Sequence, residues 1–276
     1  MEEFHYRIPW RTRMAHPGRH PSSQSGGGHE FFNHVPLMSR PEPKQIDIYA
    51  SLLDPFGQFL VRNYKQRSTI PVVVIADLSA SMSFANKIQP LAEFTGATAF
   101  SAYRTGDFFS FLAFAETFLE HYFLPARWYK GGVPDLVQQL SQHQPSGKNI
   151  SGMLNAINHL PRHRSLLFLV SDFHFPLSEL DRILEPIAKH DVVPVVIWNS
   201  QEHSNLPNRG WIRFTDPESG EDRHLFMRPS LKAKMVAHFL ARKKALIHYF
   251  AMRERQPIFL DDQWHPDQIT RYFYEQ

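Results

Sequence analysis

The chain has 276 residues, no cysteine, 42% hydrophobic residues and a net charge of +3. The lack of cysteine excludes a disulfide scaffold, thiolate metal ligands and a cysteine nucleophile, and the length suits one large domain or one domain with appendages. The apolar runs are strand-sized, far short of the roughly 20 residues of a membrane helix, and the charged N-terminus lacks the apolar core of a signal peptide. We therefore expect a cytoplasmic protein with no membrane partner.

The first 45 or so residues differ in composition from the rest, and residues 1–68 are predicted to form an N-terminal arm and its lead-in to the main body. A Ser- and Gly-rich tract at residues 22–28 lies among prolines and histidines without helical or strand periodicity. We expect irregular backbone there, partly mobile over residues 16–28. A short amphipathic stretch at residues 46–53 and a strand-like piece at residues 58–63 lead into the main body.

Between residues 69 and 200 the pattern becomes regular, with strands predicted to alternate with helices. The predicted strands are Pro71–Ala76, Phe108–Ala115, Leu166–Val170 and Val192–Trp198, and the predicted helices are Ile88–Arg104, Pro134–Gln142, Ile150–Leu160 and Leu177–Lys189. The β-branched run of the first strand is typical of a strand covered on both faces. Such alternation indicates βαβ units and an α/β fold with a mainly parallel sheet.

Residues 201–276 follow a different pattern and are predicted to pack on the same domain. The predicted elements are an antiparallel hairpin (Trp211–Thr215 and His224–Met227), a long helix (Leu231–Arg253) with Ser230 as its N-cap, an edge strand (Pro257–Leu260) and a closing helix (Pro266–Tyr274). The Lys and Arg residues of the long helix, Arg242 among them, are interpreted as a solvated face. Nucleic-acid binding through them is the weaker alternative, and we do not expect a nucleic-acid partner.

Oxygen-bearing side chains follow two of the predicted strands. Asp77, Ser79 and Ser81 alternate directly after the first strand of the main body, and Asp172 follows the third. Ligands bind at the carboxyl ends of parallel strands, so we expect the two carboxylates to converge on one crevice. Hard oxygen ligands suit Mg²⁺ or Mn²⁺, although Asp and Ser after a strand also commonly cap the next helix.

The stretch VVVIADLSASM resembles the first metal-site loop of von Willebrand factor A domains. Further motifs, similar in order and spacing to the prokaryotic DUF58 family, are Gly26–Phe31, Gln45–Ile48, Phe59–Arg62, Arg104–Asp107, Ser171–Phe173 and the turn Asp216–Glu221. The resemblance extends over residues 26–276. It implies a three-layer von Willebrand A-like domain, extended by the N-terminal arm and by the C-terminal hairpin and helix.

The chain departs from this pattern at the second metal-site loop, which in the family usually reads Gly-Gly-Thr-Asp. Here the aligned stretch Ser146–Asn149 places Lys148 at the threonine position, and an ammonium has no lone pair for a metal. Either Lys148 points away while Asn149 or Ser151 supplies an oxygen, or the Lys148 ammonium replaces the ion between the two carboxylates. We favour the second outcome and expect weak or no Mg²⁺ or Mn²⁺ binding. The metal ligands predicted for the first outcome are Asp77, Ser79, Ser81, Asp172 and Asn149.

The resemblance implies a non-catalytic protein–protein adaptor that works with a MoxR-type AAA+ ATPase in the maturation or assembly of a client protein. Some short relatives of this kind belong to gene sets for methanol oxidation. The predicted partner-binding residues are Asp77, Ser79, Ser81, Lys148 and Asp172. The alternative is a Mg²⁺-dependent phosphohydrolase, because aspartyl-phosphate enzymes place a nucleophilic aspartate where Asp77 stands, although their usual second aspartate is Ser79 here.

Overall fold

The structure, a computed structural model, describes residues 2–26, 30–147, 151–203, 207–215, 222–261 and 265–275. The chain forms two compact units, of which the first comprises residues 7–70 and the second comprises residues 1–6 together with residues 71–276. Composition divides the chain at residues 68 and 200, whereas contacts place the first six residues with the second unit. Among the described residues, no helix combines the length and the apolar character needed to cross a bilayer.

The first unit is built on a three-stranded antiparallel sheet. Its elements are β1 (Pro17–Gly26), β2 (Glu30–Pro36), α1 (Ile48–Leu52) and β3 (Leu60–Ser68), and the strand order is β1-β3-β2. The prediction of irregular backbone is wrong over residues 17–26, which form β1 by pairing with β3 although their composition is not typical of a strand. Residues 27 and 28 lie outside the described residues, and the predicted partial mobility stays a prediction. Gly18 permits the close approach of β1, since a Cβ atom there would lie 2.3 Å from the Thr69 nitrogen.

Asp47 organises the connection between β2 and β3. One oxygen of its side chain, Oδ1, accepts a hydrogen bond from the Ala50 backbone at 3.1 Å and so caps α1. The other oxygen, Oδ2, lies 2.8 Å from Arg62 Nε and 3.1 Å from His34 Nε2. The hydrogen bond from Arg62 is the main reason that the pKa of Asp47 lies well below its usual range. Two of the motifs behind the family resemblance, around residues 47 and 62, therefore meet in a structural contact.

The second unit contains a six-stranded sheet, a hairpin and seven helices among its described residues. The strands are β4 (Pro71–Asp77), β5 (Phe108–Phe114), β6 (Leu124–Arg127), β7 (Leu166–Ser171), β8 (Asp191–Trp198), β9 (Gly210–Thr215), β10 (Asp222–Met227) and β11 (Ile258–Asp261). The helices are α2 (Ile88–Thr105), α3 (Pro134–Ser141), α4 (Gly152–Ile157), α5 (Leu177–Leu184), α6 (Ser200–His203), α7 (Pro229–Ala251) and α8 (Pro266–Tyr274).

The six strands run in the order β11-β8-β7-β4-β5-β6, and every neighbouring pair is parallel except β5 with β6. One face of the sheet packs on α4, α5 and α7 through a buried core that includes Met153, Leu180 and Phe250. On the other face, Phe94 of α2 and Phe273 of α8 pack edge-on against Phe168. Helices thus cover both faces, which confirms the predicted α/β fold with a mainly parallel sheet.

The C-terminal predictions are confirmed in outline. β9 and β10 pair as an antiparallel hairpin, whose turn at residues 216–221 lies outside the described residues, and β11 is an edge strand. The prediction of Ser230 as N-cap is wrong: α7 begins at Pro229 with Arg228 as N-cap. Proline is favoured at the first helical position because its missing N–H would have no partner there. The short edge strand β6 was not predicted, because its four residues are too few to show a period.

Candidate functional site

The two predicted aspartates lie at the carboxyl ends of neighbouring central strands. Asp77 is the last residue of β4, and Asp172 directly follows β7. From β4 the chain moves first to β5 on one side and later to β7 on the other, so the two residues stand where the strand order reverses. This is the place at which open α/β sheets usually bind ligands.

Asp77 is buried and held by hydrogen bonds from two serines. Oδ1 of Asp77 accepts from the Ser79 backbone at 2.9 Å, and Oδ2 accepts from Ser171 Oγ at 2.7 Å. Burial, and after it the nearby charge of Asp172, raise the pKa of Asp77 to about 6. The two carboxylates therefore converge closely enough to repel each other.

A buried lysine, Lys87, pairs with Asp172. Its Nζ lies 2.9 Å from Asp172 Oδ2, 2.5 Å from Glu202 Oε1 and 3.4 Å from the Ser81 carbonyl oxygen. Burial acts to raise the pKa of Asp172, but the charges of Lys87 and His174 and the hydrogen bonds from Lys87 and Ser81 together outweigh it, so that the pKa lies below its usual value. We call Asp77, Ser79, Ser81, Lys87, Asp172 and Glu202 the strand-end cluster.

Neither Lys87 nor Glu202 was predicted from the sequence. Lys87 stands at the start of α2, where a lone lysine before an apolar helix carries no signal for a buried role. Glu202 comes from α6, which it helps to cap by accepting from the Asn199 backbone at 3.2 Å. Burial would raise the pKa of Glu202, but the His174 and Lys87 contacts lower it.

The two motif serines connect the cluster to the surface. Ser79 is buried and Ser81 half-buried, their hydroxyl oxygens lie 3.2 Å apart, and Ser81 also hydrogen-bonds to Asp172. Two partly exposed side chains accompany Ser81 at the surface: Phe84, in the same 80–86 turn, and His174, which lies 3.6 Å from Glu202. We call Ser81, Phe84 and His174 the rim of the cluster.

Two described residues of the stretch predicted to be the second metal-site loop, Ser146 and Gly147, contact the loop after β4 through their backbone. The Ser146 amide donates to the Leu78 carbonyl at 3.3 Å, and the Ala80 amide donates to the Gly147 carbonyl at 3.2 Å. Lys148 and Asn149 lie outside the described residues. Their predicted roles therefore stay predictions, and the lysine that the described structure pairs with Asp172 is Lys87.

Arg242 of α7 fixes the loop that follows Asp172. Its Nη2 donates to the carbonyl oxygens of Phe173, at 2.6 Å, and Phe175, and Trp198 Nε1 donates to the Asp172 carbonyl at 2.8 Å. The interpretation of Arg242 as part of a solvated face is therefore wrong. The sequence does not show that α7 packs beside this loop, so it offers no signal for the contact.

The chemistry of the cluster argues against a divalent cation ligated by both aspartates in this arrangement. The oxygens of Asp77, Ser79 and Ser81 are of the right type, and each oxygen of Asp77 accepts one hydrogen bond within the chain, which leaves it a second lone pair. Asp172 Oδ2 is paired with the ammonium of Lys87, which would repel a nearby cation. Lys87 thus already supplies a positive charge to the buried carboxylate of Asp172.

The same geometry gives no support to a phosphohydrolase. A nucleophilic carboxylate needs an oxygen that can approach phosphorus, whereas Asp77 is only 1% exposed.

Comparison with known proteins shows the family. The family described as "Protein of unknown function DUF58" matches residues 56–244. A protein from Paracoccus denitrificans described as "Uncharacterized protein in moxR 3'region" is 29% identical over 99 residues, which are 36% of this chain and 94% of that protein. Among solved structures, BatB from Bacteroides thetaiotaomicron is 10% identical with a TM-score of 0.45, the match covering 75% of this chain and 98% of that one. An aerotolerance-related membrane protein from Bacteroides fragilis NCTC 9343 is 11% identical with a TM-score of 0.42, covering 75% and 97%. Because the family match covers more than half of the chain, the protein belongs to the DUF58 family.

Proposed function

We propose that the chain is a non-catalytic adaptor that binds a MoxR-type AAA+ ATPase and acts with it in the maturation or assembly of a client protein. Membership of the DUF58 family and the moxR 3' region named for the Paracoccus relative support this partner. The observation that carries the proposal is a buried, ion-paired cluster under a partly exposed rim, at the edge where open α/β sheets usually bind ligands. The client, and a link to methanol oxidation, stay predictions.

The charges of the cluster suggest which group of the partner the rim accepts. The cluster holds the three carboxylates of Asp77, Asp172 and Glu202, and the ammonium of Lys87 pairs with the last two, so the cluster is negative on balance at neutral pH. Lys87 itself is buried, so a carboxylate of the partner cannot reach it. We therefore propose that the rim accepts a cationic side chain of the partner. The buried carboxylates attract this side chain electrostatically.

The test is the affinity of the purified chain for the MoxR-type ATPase of the same organism, measured by biolayer interferometry with ATP and Mg²⁺. Ser81→Lys places a like charge at the rim and is expected to weaken binding by about tenfold or more. Phe84→Ala removes an exposed rim contact and is expected to weaken binding without adding charge. Ser141→Lys, at an exposed position on α3, is the matched control. Absence of binding by the wild type, or unchanged affinity of both rim variants with native circular dichroism, would contradict the proposal.

We further propose that Lys87 takes the role that the metal ion has in related A-type domains. Titration calorimetry of the wild-type chain with Mg²⁺ and with Mn²⁺ is then expected to show no micromolar binding. Micromolar affinity for either ion would show that the cluster rearranges around a metal and would rule out this role for Lys87.

A further inference from the structure

The first unit exposes seven large apolar side chains around α1 and the loop that follows it. They are between 65% and 94% exposed: Met38, Ile48, Tyr49, Leu52, Leu53, Phe56 and Phe59. Single exposed apolar residues are ordinary, but a cluster of this size marks a surface that binds something. We call these residues the apolar face.

The helical geometry of α1 brings most of this face together. Phe56 lies in the turn that follows α1. Within the helix and its C-cap, Ile48 and Leu52 are four residues apart, and Tyr49 and Leu53 form the adjacent row. Residues spaced in this way lie on one side of a helix. The face is therefore a projecting row of side chains around one helical turn.

The backbone amides beneath the apolar face donate hydrogen bonds to other groups of the same segment. Internal hydrogen bonds engage seven of its amides: Ala50 and Ser51 donate to Asp47, Leu53 to Tyr49, Asp54 to Ser51, and Phe56, Gly57 and Gln58 to Asp54. Such pairing is also ordinary in helical turns and Asp turns in water, so it permits contact with an apolar medium without requiring one. A segment that enters an apolar medium does need such pairing, since each unpaired amide is costly there.

The charge of the first unit narrows the choice of partner. Residues 7–70 contain nine Lys and Arg but only four Asp and Glu, a net charge of +5 within a chain of +3. Three of the four acidic residues are in ion pairs, Glu30 with Lys65, Glu42 with Arg40 and Asp47 with Arg62. A second copy of the chain would bring a like charge to the contact, whereas an anionic surface would be attracted.

We propose that the apolar face binds the surface of a bilayer that contains anionic lipid. Separate projecting side chains enter a fluid bilayer without matching pockets, which a protein partner would have to supply. The carboxylate of Asp54 limits the depth of insertion to the headgroup region, where Tyr and Phe side chains are favourable. This proposal differs from the sequence-based expectation of no membrane partner, because that expectation rests on spanning segments and a surface contact needs none.

The test is co-sedimentation of the full chain with vesicles of phosphatidylcholine, with or without one quarter phosphatidylglycerol. We expect binding to the anionic vesicles and, at low salt, about tenfold weaker binding to the neutral ones. Leu53→Asp and Phe56→Asp replace exposed side chains, so the fold should persist, and each is expected to weaken binding by about tenfold or more. Met252→Asp, at an equally exposed apolar position in the second unit, makes the same change in charge and is expected to bind like the wild type.

Three results would overturn the proposal. The first is that the wild type fails to sediment with anionic vesicles, and the second is that Leu53→Asp binds them as well as the wild type does. The third is a dimer in light scattering that Leu53→Asp dissociates, which would assign the face to a second copy. The rim variant Ser81→Lys is expected to bind vesicles normally, so failure here is distinguishable from failure of the adaptor proposal.

Discussion

A single buried lysine decides the electrostatics of the strand-end cluster. Lys87 neutralises part of the charge of two carboxylates, that of Asp172 after β7 and that of Glu202 in α6. Breaking a buried ion pair by removing one partner is costly, because the other charge is left without compensation.

We accordingly expect Lys87→Met to lower the free energy of unfolding by about 3–5 kcal/mol. Urea denaturation at neutral pH measures the loss. Lys130→Met, which removes an exposed lysine, should change it by less than about 0.5 kcal/mol. Equal losses in the two variants would show that Lys87 is not a stabilising charge.

His190 makes the fold sensitive to acid. It is 2% exposed, and neither ring nitrogen has a hydrogen-bond partner among the described residues. Burial, assisted by the charges of Lys189 and Arg164, lowers the pKa of His190 to about 4. The ordinary value in an unfolded chain is about 6.5, so between these values the unfolded chain takes up a proton that the folded chain does not.

Stability should therefore fall as the pH decreases through this window. Between about pH 7.5 and pH 4.5 the contribution of His190 is a loss of about 2–3 kcal/mol. His190→Leu removes this contribution, so the variant should lose less stability than the wild type over the same interval in urea denaturation. An identical pH dependence of the two proteins would contradict the assignment.

At the scale of elements, the sequence predicted the end of a helix where the backbone requires a glycine. Gly106 ends α2 with a positive φ of 84°, a conformation that side chains disfavour. Gly106→Ala should cost about 1 kcal/mol, seen as a lower melting temperature. Gly106→Asn should cost less, because asparagine tolerates this conformation. An alanine variant as stable as the wild type would indicate that the cap relaxes.

Strands were predicted less well where a segment becomes a strand only through pairing with a neighbouring strand. The β-branched run at residues 71–76 predicts β4 from composition alone, and all of β4 is buried. The polar, Gly- and Ser-containing β1 has no such signal and becomes a strand through its partner β3. β6 is short and pairs only with β5.

At the scale of the whole molecule, the N-terminal residues complete the core of the second unit. Phe4 is buried against Phe94 and Phe168, and its amide donates to Ser101 Oγ at 3.0 Å. The Tyr6 hydroxyl donates to Asp107 at 2.6 Å. The chain thus starts in the second unit, forms the first, and returns.

Phe4→Ala is therefore expected to destabilise the second unit by about 3–5 kcal/mol, as for other buried aromatic truncations. The change in unfolding free energy measures this effect. Phe32→Ala removes an aromatic ring that is half exposed in the first unit, and it should have a much smaller effect. Similar effects of the two substitutions would mean that Phe4 is not part of the core.

The sequence by itself determined the alternation of strands and helices and the positions of Asp77 and Asp172 at two strand ends. These features follow from local periodicity and from the direction in which strands run, which neighbouring residues specify. Only the tertiary structure decided that Lys87 pairs with Asp172, 85 residues away, and that the apolar stretch around α1 is left exposed. Ion pairing and burial depend on which distant segments meet, and no local pattern encodes that.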